Sequence, residues 1–290
     1  MKNINLALIF LALSVLSFKS DKPAYKLFNT EGNKSSYTKL IEDASEADIV
    51  FYGELHNDPV SHWLEYEITR DLHKIEENSL LMGAEMFERD DQLIINEYLD
   101  NFYESGKFEP EAKLWKNYKT DYKPLLEFAR ENRIPFIATN IPRRYASMVN
   151  RSGFEILDSL TDKAKDYIAP LPVKYDPELK CYKDMLNMGG GEGMKPSNTN
   201  LPKAQAIKDA TMAYSIIQHW ENGKIFIHYN GSYHSRNFEG IIWYLHQYKP
   251  DLKIITIETV IQEDITQLED QYLDIASYIV CVPESMTKTY

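Results

Sequence analysis

One stretch constrains the fold of this chain more than any other, because an apolar run in it ends in groups that bind metals or move protons. The run covers residues 49–52 and stops at Gly53, and Glu54 and His56 follow at once. A short apolar run bounded by glycine is typical of a buried strand. We therefore expect Glu54 and His56 to lie at the end of such a strand.

The same pattern occurs twice more along the chain. Residues 225–229 form an apolar run followed by Gly231 and His234, and residues 80–84 form another that ends at Glu85. In an open parallel sheet, ligands bind outside the carboxyl ends of the strands. The three runs therefore predict that these side chains meet at one edge of a sheet.

Strand-like and helical segments alternate from residue 24 to residue 290. This alternation predicts a single α/β domain with a central, mostly parallel sheet flanked by helices. The first crossover helix is expected to begin at Pro59 with Asp58 as its cap. Residues 170–202 are rich in proline, glycine and methionine, and they predict a helical or loop excursion that forms a lid over the sheet.

Composition excludes some classes of protein. Hydrophobic residues make up 43% of the 290 residues and charged residues 26%, which is typical of a globular protein. The formal net charge of -12 argues against a nucleic-acid partner, because such proteins carry a basic patch.

The amino-terminal residues predict export. Lys2 precedes an apolar stretch at residues 6–16 and small residues follow, which is typical of a signal peptide at residues 1–17 with cleavage as late as residue 20. An uncleaved anchor is the alternative. The absence of a nearby cysteine argues against a lipoprotein anchor, and no later stretch approaches the ~20 apolar residues of a spanning helix. We expect a periplasmic or cell-surface protein without a transmembrane span in the mature chain.

The chain has two cysteines, Cys181 and Cys281. After export they could pair, although the sequence does not show whether their geometry permits a disulfide. Cys281 lies in an apolar run, which favours a place in the core.

Three strand-end groups predict a metal site. His56, His234 and Glu85 together would form a two-histidine, one-carboxylate site with open positions, suited to iron or zinc. Glu54 and Glu88 are then the candidates for a general base, or for residues that orient a ligand. Each histidine alone could equally be a hydrogen-bonded structural residue, but the repeated pattern favours function.

The remaining histidines receive simpler interpretations. His228 lies within a strand and is expected in the core. The others lie on helical patterns and are expected to be surface or packing residues: His62, His73, His219 and His246.

Arg143, Arg144 and Tyr145 form a second candidate group. A tyrosine phenolate can ligate ferric haem, and guanidinium groups suit the haem propionates. The alternative for each of them is an ordinary amphipathic helix start.

Five motifs together resemble the ChaN family, whose members are haem-binding proteins of bacterial iron uptake. They are FYGELHN at residues 51–57, GAEMF at 83–87, NIPRRY at 140–145, AQAIKDATMA at 204–213 and GSYH at 231–234. The resemblance extends from about residue 47 to residue 259. The wider group includes the Tiki metalloproteases, the TraB/PrgY proteins and the erythromycin esterases.

The resemblance implies an exported α/β protein that binds haem in a pocket, as a homodimer that holds two stacked haems with tyrosine ligation. In the wider group, two Gly-x-x-His motifs and an intervening glutamate resemble a metal or catalytic site. On this chain they correspond to Gly53, His56, Glu85, Gly231 and His234. The chain departs from many relatives in lacking a lipoprotein cysteine, and its lid contains no histidine.

These observations support two hypotheses of different classes. The first is an exported haem-binding protein of iron or haem uptake or sequestration. The alternative is a metal-dependent hydrolase of peptides or esters, in which His56, His234 and Glu85 hold the metal and Glu54 transfers protons. A structural protein whose histidines brace the sheet edge is a third possibility.

Overall fold

The computed structural model describes residues 22–76, 79–187 and 199–290. Within these ranges seven strands form one sheet in the order β1-β7-β6-β2-β5-β3-β4. The strands are β1 (Lys26–Asn29), β2 (Ile49–Glu54), β3 (Leu80–Glu88), β4 (Phe136–Asn140), β5 (Ile225–Gly231), β6 (Ile254–Gln262) and β7 (Tyr278–Pro283). Only β1 pairs antiparallel in this described sheet, so the predicted mostly parallel α/β fold is confirmed.

Helices cover both faces of the sheet. In the described residues they are α1 (Tyr37–Ser45), α2 (Pro59–Ile75), α3 (Gln92–Leu99), α4 (Ser105–Glu111), α5 (Lys123–Asn132), α6 (Arg143–Ser152), α7 (Asp162–Lys165), α8 (Lys180–Asn187), α9 (Leu201–His219) and α10 (Ile241–Tyr248). None of them is both long and apolar enough to span a bilayer, within the ranges given above. The predicted signal peptide lies outside the described residues.

Strand β2 shows why the central strands are continuous apolar runs. All six of its residues are buried. Val50 and Tyr52 join the apolar cluster that includes residues of α2, whereas Ile49 and Phe51 join the cluster that includes residues of α9 and α10. Successive side chains of a strand point to opposite faces, so a strand covered by helices on both faces has no polar side.

The strand ends bring the predicted groups to one edge. Glu54 at the end of β2 pairs in register with Gly231 at the end of β5, and Ala84 of β3 pairs with Tyr229 of β5. Strand β3 continues to Glu88, so Glu85 lies within the strand and not after it as the sequence suggested. The carboxyl ends of β2, β5 and β3 are therefore neighbours.

The excursion at residues 170–202 contains helix α8, and residues 188–198, which include the glycine tract, lie outside the described residues. Tyr182 of α8 is fully buried, and it forms a small cluster with Cys181 and Ala206 of α9. Cys281 lies in a separate cluster with Phe28 and Val260, and both cysteines are free within the described chain. The excursion thus packs on α9, while its role as a lid stays a prediction.

The N-cap of α2 has a measurable consequence. Asp58 is fully buried, and its Oδ1 accepts hydrogen bonds of 3.0 Å from the N–H groups of Val60 and Ser61. Asp58→Ala should lower the free energy of unfolding by about 1–2 kcal/mol, because two helix N–H groups lose their acceptor. Urea unfolding would measure this loss of stability. Thr161→Ala is the control, and it should give a smaller loss because Thr161 is the exposed cap of the four-residue helix α7. Equal losses would contradict the argument.

Candidate functional site

An open cavity of about 580 Å³ lies at the carboxyl ends of β2, β3 and β5. The four strand-end residues predicted to form the site line it, namely Glu54, His56, Glu85 and His234, and the motif glycine Gly231 lines it too. The volume is within the usual range of small-molecule sites. The sequence-based expectation that these groups share one edge of the sheet therefore agrees with the structure, although their chemical roles stay predictions.

His56 is oriented by the carboxylate next to it. Its Nδ1 lies 2.5 Å from Glu54 Oε1, which also accepts a 2.7 Å hydrogen bond from the Tyr122 hydroxyl. Burial lowers the pKa of His56, but the Glu54 hydrogen bond and the charge of Glu85 raise it more, so that the net shift is upward. The edge of the ring packs on Trp115. The arrangement favours a protonated imidazole at the cavity wall.

The two motif glycines are explained by close approaches. A Cβ on Gly231 would lie 2.8 Å from Cε1 and Nε2 of His56. A Cβ on Gly53 would lie 2.3 Å from the carboxyl group of Glu258. Real Cβ contacts are not this short, so a side chain at either position would displace the group that now lies against the backbone.

His234 lies between two carboxylates. Its Nε2 is 3.1 Å from Glu85 Oε1, and its Nδ1 is hydrogen-bonded to Asp209 on α9. Burial lowers the pKa of His234, but the charges of Glu85 and Asp209 outweigh burial and raise it to about 9. Burial raises the pKa of Glu85, but the charge and hydrogen bond of His234 lower it more. His234 is therefore a buried imidazolium.

Asp209 is a site residue that sequence reasoning missed. It is fully buried, and its Oδ2 accepts a 2.7 Å hydrogen bond from the hydroxyl of Tyr182 on α8. Asp209 thereby connects His234 to the excursion at residues 170–202. The available signal was the spacing of Gln205 and Asp209, four residues apart on α9, which places two polar side chains on one face of the helix.

The predicted metal ligands do not form the metal-like cluster found in this structure. Within the described residues, the group of three side chains whose ligand atoms all lie within 4.8 Å of one another is Glu54, His62 and Glu65. His62 is buried, with Nδ1 3.3 Å from both Glu54 Oε2 and Glu65 Oε2. His62 was expected to be a surface or packing residue; it is buried and packs edge-on against Tyr122, and it also contacts two carboxylates. Its signal was a His-x-x-Glu spacing on a helix, which places both groups on one face.

Of the three residues predicted to bind haem, Arg143 lines the cavity, whereas Arg144 and Tyr145 are not among its lining residues. Arg143 Nε lies 3.6 Å from a carboxylate oxygen of Glu88. Arg144 pairs with Asp90 at 2.5 Å, and its guanidinium lies 4.5 Å over the ring of Tyr145. Tyr145 is buried in an apolar cluster of α6. The haem roles of the three residues stay predictions, and the geometry supports Arg143 best.

Other groups complete the cavity wall. Tyr233 and Tyr290 are the tyrosines of the described residues that line it, and Lys208 adds a second cation beside Arg143. The apolar lining side chains include Trp115. Tyr233 belongs to the GSYH motif and was identified there only as part of the motif.

Comparison with solved structures shows the fold. ChaN of Campylobacter jejuni, described with cofacially bound haem, aligns with a TM-score of 0.61 at 18% identity, over 88% of this chain and 96% of that chain. The erythromycin esterase EreC in its open conformation aligns with a TM-score of 0.54 at 11% identity, over 92% of this chain and 99% of that one. At these identities the similarity concerns the fold alone.

Sequence comparison adds a distant relative and a family. Protein RETICULATA-RELATED 5, chloroplastic, of Arabidopsis thaliana is 27% identical over 191 residues, which cover 62% of this chain and 26% of that protein. This chain therefore matches only about a quarter of the length of that relative. The family model described as haem-binding uptake, Tiki superfamily, ChaN matches residues 40–245, which is more than half of the chain. The chain therefore belongs to the ChaN family of haem-binding uptake proteins within the Tiki superfamily.

Proposed function

We propose that the chain is an exported haem-binding protein that serves haem or iron uptake or sequestration. The observation that carries this proposal is one cavity that combines phenols, apolar side chains and cations at the carboxyl ends of the central strands. Membership of the ChaN family supports it. The signal-like stretch at residues 6–16 supports export.

The residues of the cavity fit the chemical needs of haem. Ferric iron takes a tyrosine phenolate as an axial ligand, and Tyr233 and Tyr290 both line the cavity. Trp115 offers an aromatic surface to the macrocycle, while Arg143 and Lys208 suit the propionates. The bound iron-porphyrin is the cargo of the protein, and these side chains hold and orient it.

The carboxylates on the cavity floor are neutralised, which favours an anionic ligand. Glu54 is paired with His56 and His62, and Glu85 is paired with His234. Burial raises the pKa of Glu54, but its hydrogen bond with His56 and its ion pair with His62 lower it to about 2, so that Glu54 is ionised beside these histidines. The opposite charges of these pairs lie between 2.5 and 3.3 Å apart, so each histidine offsets the negative charge of its carboxylate. The floor therefore repels propionates less than its composition suggests.

Tyr233 is the stronger candidate for the iron ligand. Its neighbours Ser232 and His234 are buried, whereas the Tyr233 side chain is 49% exposed. The 3₁₀ turn Ser232–His234 fixes the backbone directly after β5, so the phenol is presented from a rigid support. Tyr145, by contrast, is buried in its own cluster.

Tyr233→Phe should weaken hemin binding on the order of tenfold, equivalent to about 1.4 kcal/mol, because the phenolate ligand is lost while the ring remains. Tyr145→Phe is the matched control, since the same atom is removed outside the cavity, and its affinity should equal that of the unmodified protein. Hemin titration of residues 18–290, followed by Soret absorbance, measures both affinities.

The outcomes of this titration separate the parts of the proposal. No saturable Soret change with the unmodified protein would contradict haem binding. Binding that survives Tyr233→Phe but not Tyr290→Phe would keep the proposed function and identify Tyr290 as the iron ligand.

Size exclusion of the hemin complex tests the proposed homodimer, for which we expect earlier elution. Periplasmic fractionation with mass measurement of the mature chain tests export.

The hydrolase alternative is less favoured by the geometry. A metal held by His56, Glu85 and His234 needs one ligand atom from each side chain within reach of the same ion. Within the described residues, these three side chains do not form a group whose ligand atoms all lie within 4.8 Å of one another. A metal at this set would therefore require a side chain to move.

A further inference from the structure

A polar cluster adjoins the cavity at Glu54, which lines the cavity. Glu54 ends β2, and His62 and Glu65 lie on α2, which begins just after that strand. All three are buried, with exposures of 1%, 8% and 0%. His62 and Glu65 are three residues apart on the helix and therefore share the face turned toward Glu54. Two carboxylates and one imidazole thus meet in a space closed to solvent.

The orientation of the His62 ring is fixed by contacts of its Nε2 atom. Its Nε2 lies 3.1 Å from the carbonyl oxygen of His56 and 3.4 Å from Asp121 Oδ2, so this nitrogen carries the hydrogen. Nδ1 is turned toward Glu54 and Glu65, at 3.3 Å from an oxygen of each. Histidines that bind metals are held in the same way, with the other ring nitrogen donating to a carbonyl or carboxylate.

The cluster also contains oxygens that lack partners. Among the described residues, Glu54 Oε2 and Glu65 Oε1 are buried without a hydrogen-bond partner. Glu54 Oε1 is satisfied by His56 and Tyr122, which leaves Oε2 for the interior of the cluster. A buried carboxylate oxygen without a hydrogen-bond partner destabilises the folded protein, so a positively charged group bound in the cluster would stabilise it.

We propose that Glu54, His62 and Glu65 bind one divalent first-row cation, of the class Mn²⁺, Fe²⁺ or Zn²⁺. Two carboxylates balance its charge, and a mixed oxygen and imidazole set suits these ions. The site is separate from the predicted set of His56, Glu85 and His234, and it does not depend on haem binding. Glu54 lines the cavity, so the cluster adjoins the cavity at this residue.

The ion would act on the haem cavity through Glu54. One oxygen of Glu54 holds His56 Nδ1, and the other would be a metal ligand. A bound cation fixes the carboxylate and thereby the orientation of the His56 ring. His62 and Glu65 are then positioning residues for the cavity wall, although they do not line the cavity.

The test uses the haem-free mature chain. After treatment with a chelator and separate incubation with Mn²⁺, Fe²⁺ or Zn²⁺, elemental analysis should find about one bound ion per chain for at least one cation. The same cation should raise the thermal midpoint, since a ligand that binds only the folded state stabilises it. Absence of stoichiometric binding for all three cations would overturn the proposal, because a shared proton would then hold the cluster together.

Two isosteric variants locate the ion. Glu65→Gln should lose the ion and the cation-dependent rise in midpoint. Glu67→Gln, on the same helix but paired with Arg70 at the surface, should keep both. An ion retained in Glu65→Gln, or lost from His234→Gln but not from Glu65→Gln, would overturn the assignment.

A spectroscopic measurement on the unmodified protein covers the case in which Glu65→Gln does not fold. X-ray absorption of the loaded protein should show a shell of oxygens with one imidazole. A shell with two imidazoles would place the ion at His56 and His234, and it would overturn the proposal.

Discussion

Asp209→Ala is expected to lower the free energy of unfolding by about 3–5 kcal/mol, because it leaves a buried charge without one of its partners. Asp209 is fully buried and binds His234 on one side and the Tyr182 hydroxyl, at 2.7 Å, on the other. Because His234 and Tyr182 are both buried, the imidazolium and the hydroxyl each lose a hydrogen bond inside the protein. Urea unfolding followed by circular dichroism measures the loss.

Two further variants check the cause of this loss. Asp158→Ala removes an exposed carboxylate and should change stability by less than about 0.5 kcal/mol. Asp209→Asn keeps a side chain of the same shape and should lose less stability than Asp209→Ala. If Asp209→Ala were as stable as Asp158→Ala, the description of His234 as a buried imidazolium between two carboxylates would be wrong.

The second large effect is a loss of stability with rising pH caused by Glu258. This residue on β6 is fully buried, and Glu258 Oε1 accepts a 2.5 Å hydrogen bond from the Ser235 hydroxyl. Burial raises the pKa of Glu258 to about 8, although Ser235 and the charges of Arg236 and His234 oppose the shift. The folded protein therefore retains this proton at pH values at which the unfolded chain has lost it.

The sign of the effect follows from proton binding. The unfolded chain releases the Glu258 proton near pH 4.5, and the folded protein releases it near pH 8. Between these values the folded state binds more protons, so this contribution to stability falls as the pH rises. At about 1.4 kcal/mol per pKa unit, the whole window corresponds to on the order of 4–5 kcal/mol.

Glu258→Gln removes the titrating group but keeps its shape. We expect the variant to become steadily more stable relative to the unmodified protein between pH 5 and 8, which urea unfolding at several pH values would measure. Glu284→Gln, at an exposed position, should give a constant difference over the same range. A constant difference for Glu258→Gln as well would mean that the buried carboxyl group ionises normally.

The strand-end part of the site could be predicted because strand geometry is local. An apolar run that ends at Gly53 places Glu54 and His56 at a strand terminus wherever the strand lies in the sheet. Parallel pairing then brings this terminus beside Gly231 and His234. The haem family could be identified from the same residues, since the motifs occur in the order that is typical of ChaN proteins.

The helical part of the site could not be predicted in the same way. The face that a helix turns toward the site depends on its rotation and packing, which a single motif does not determine. Asp209 and His62 therefore looked unremarkable in sequence, and in the structure both touch the central histidines or their carboxylates. Tyr145 shows the opposite case. Its motif suggested a haem ligand, but the packing of α6 places its side chain in an apolar cluster.

The sequence alone determined the α/β alternation, the positions of the central strands and the presence of reactive groups at their ends, because strand periodicity and capping are local properties of the chain. The tertiary structure decided which of these groups are charged and which partners hold them. His234 became a cation only when α9 brought Asp209 to it, and Glu54 gained a second imidazole only when α2 packed on β2. Charge in a buried site depends on groups distant in sequence, and only packing brings them together.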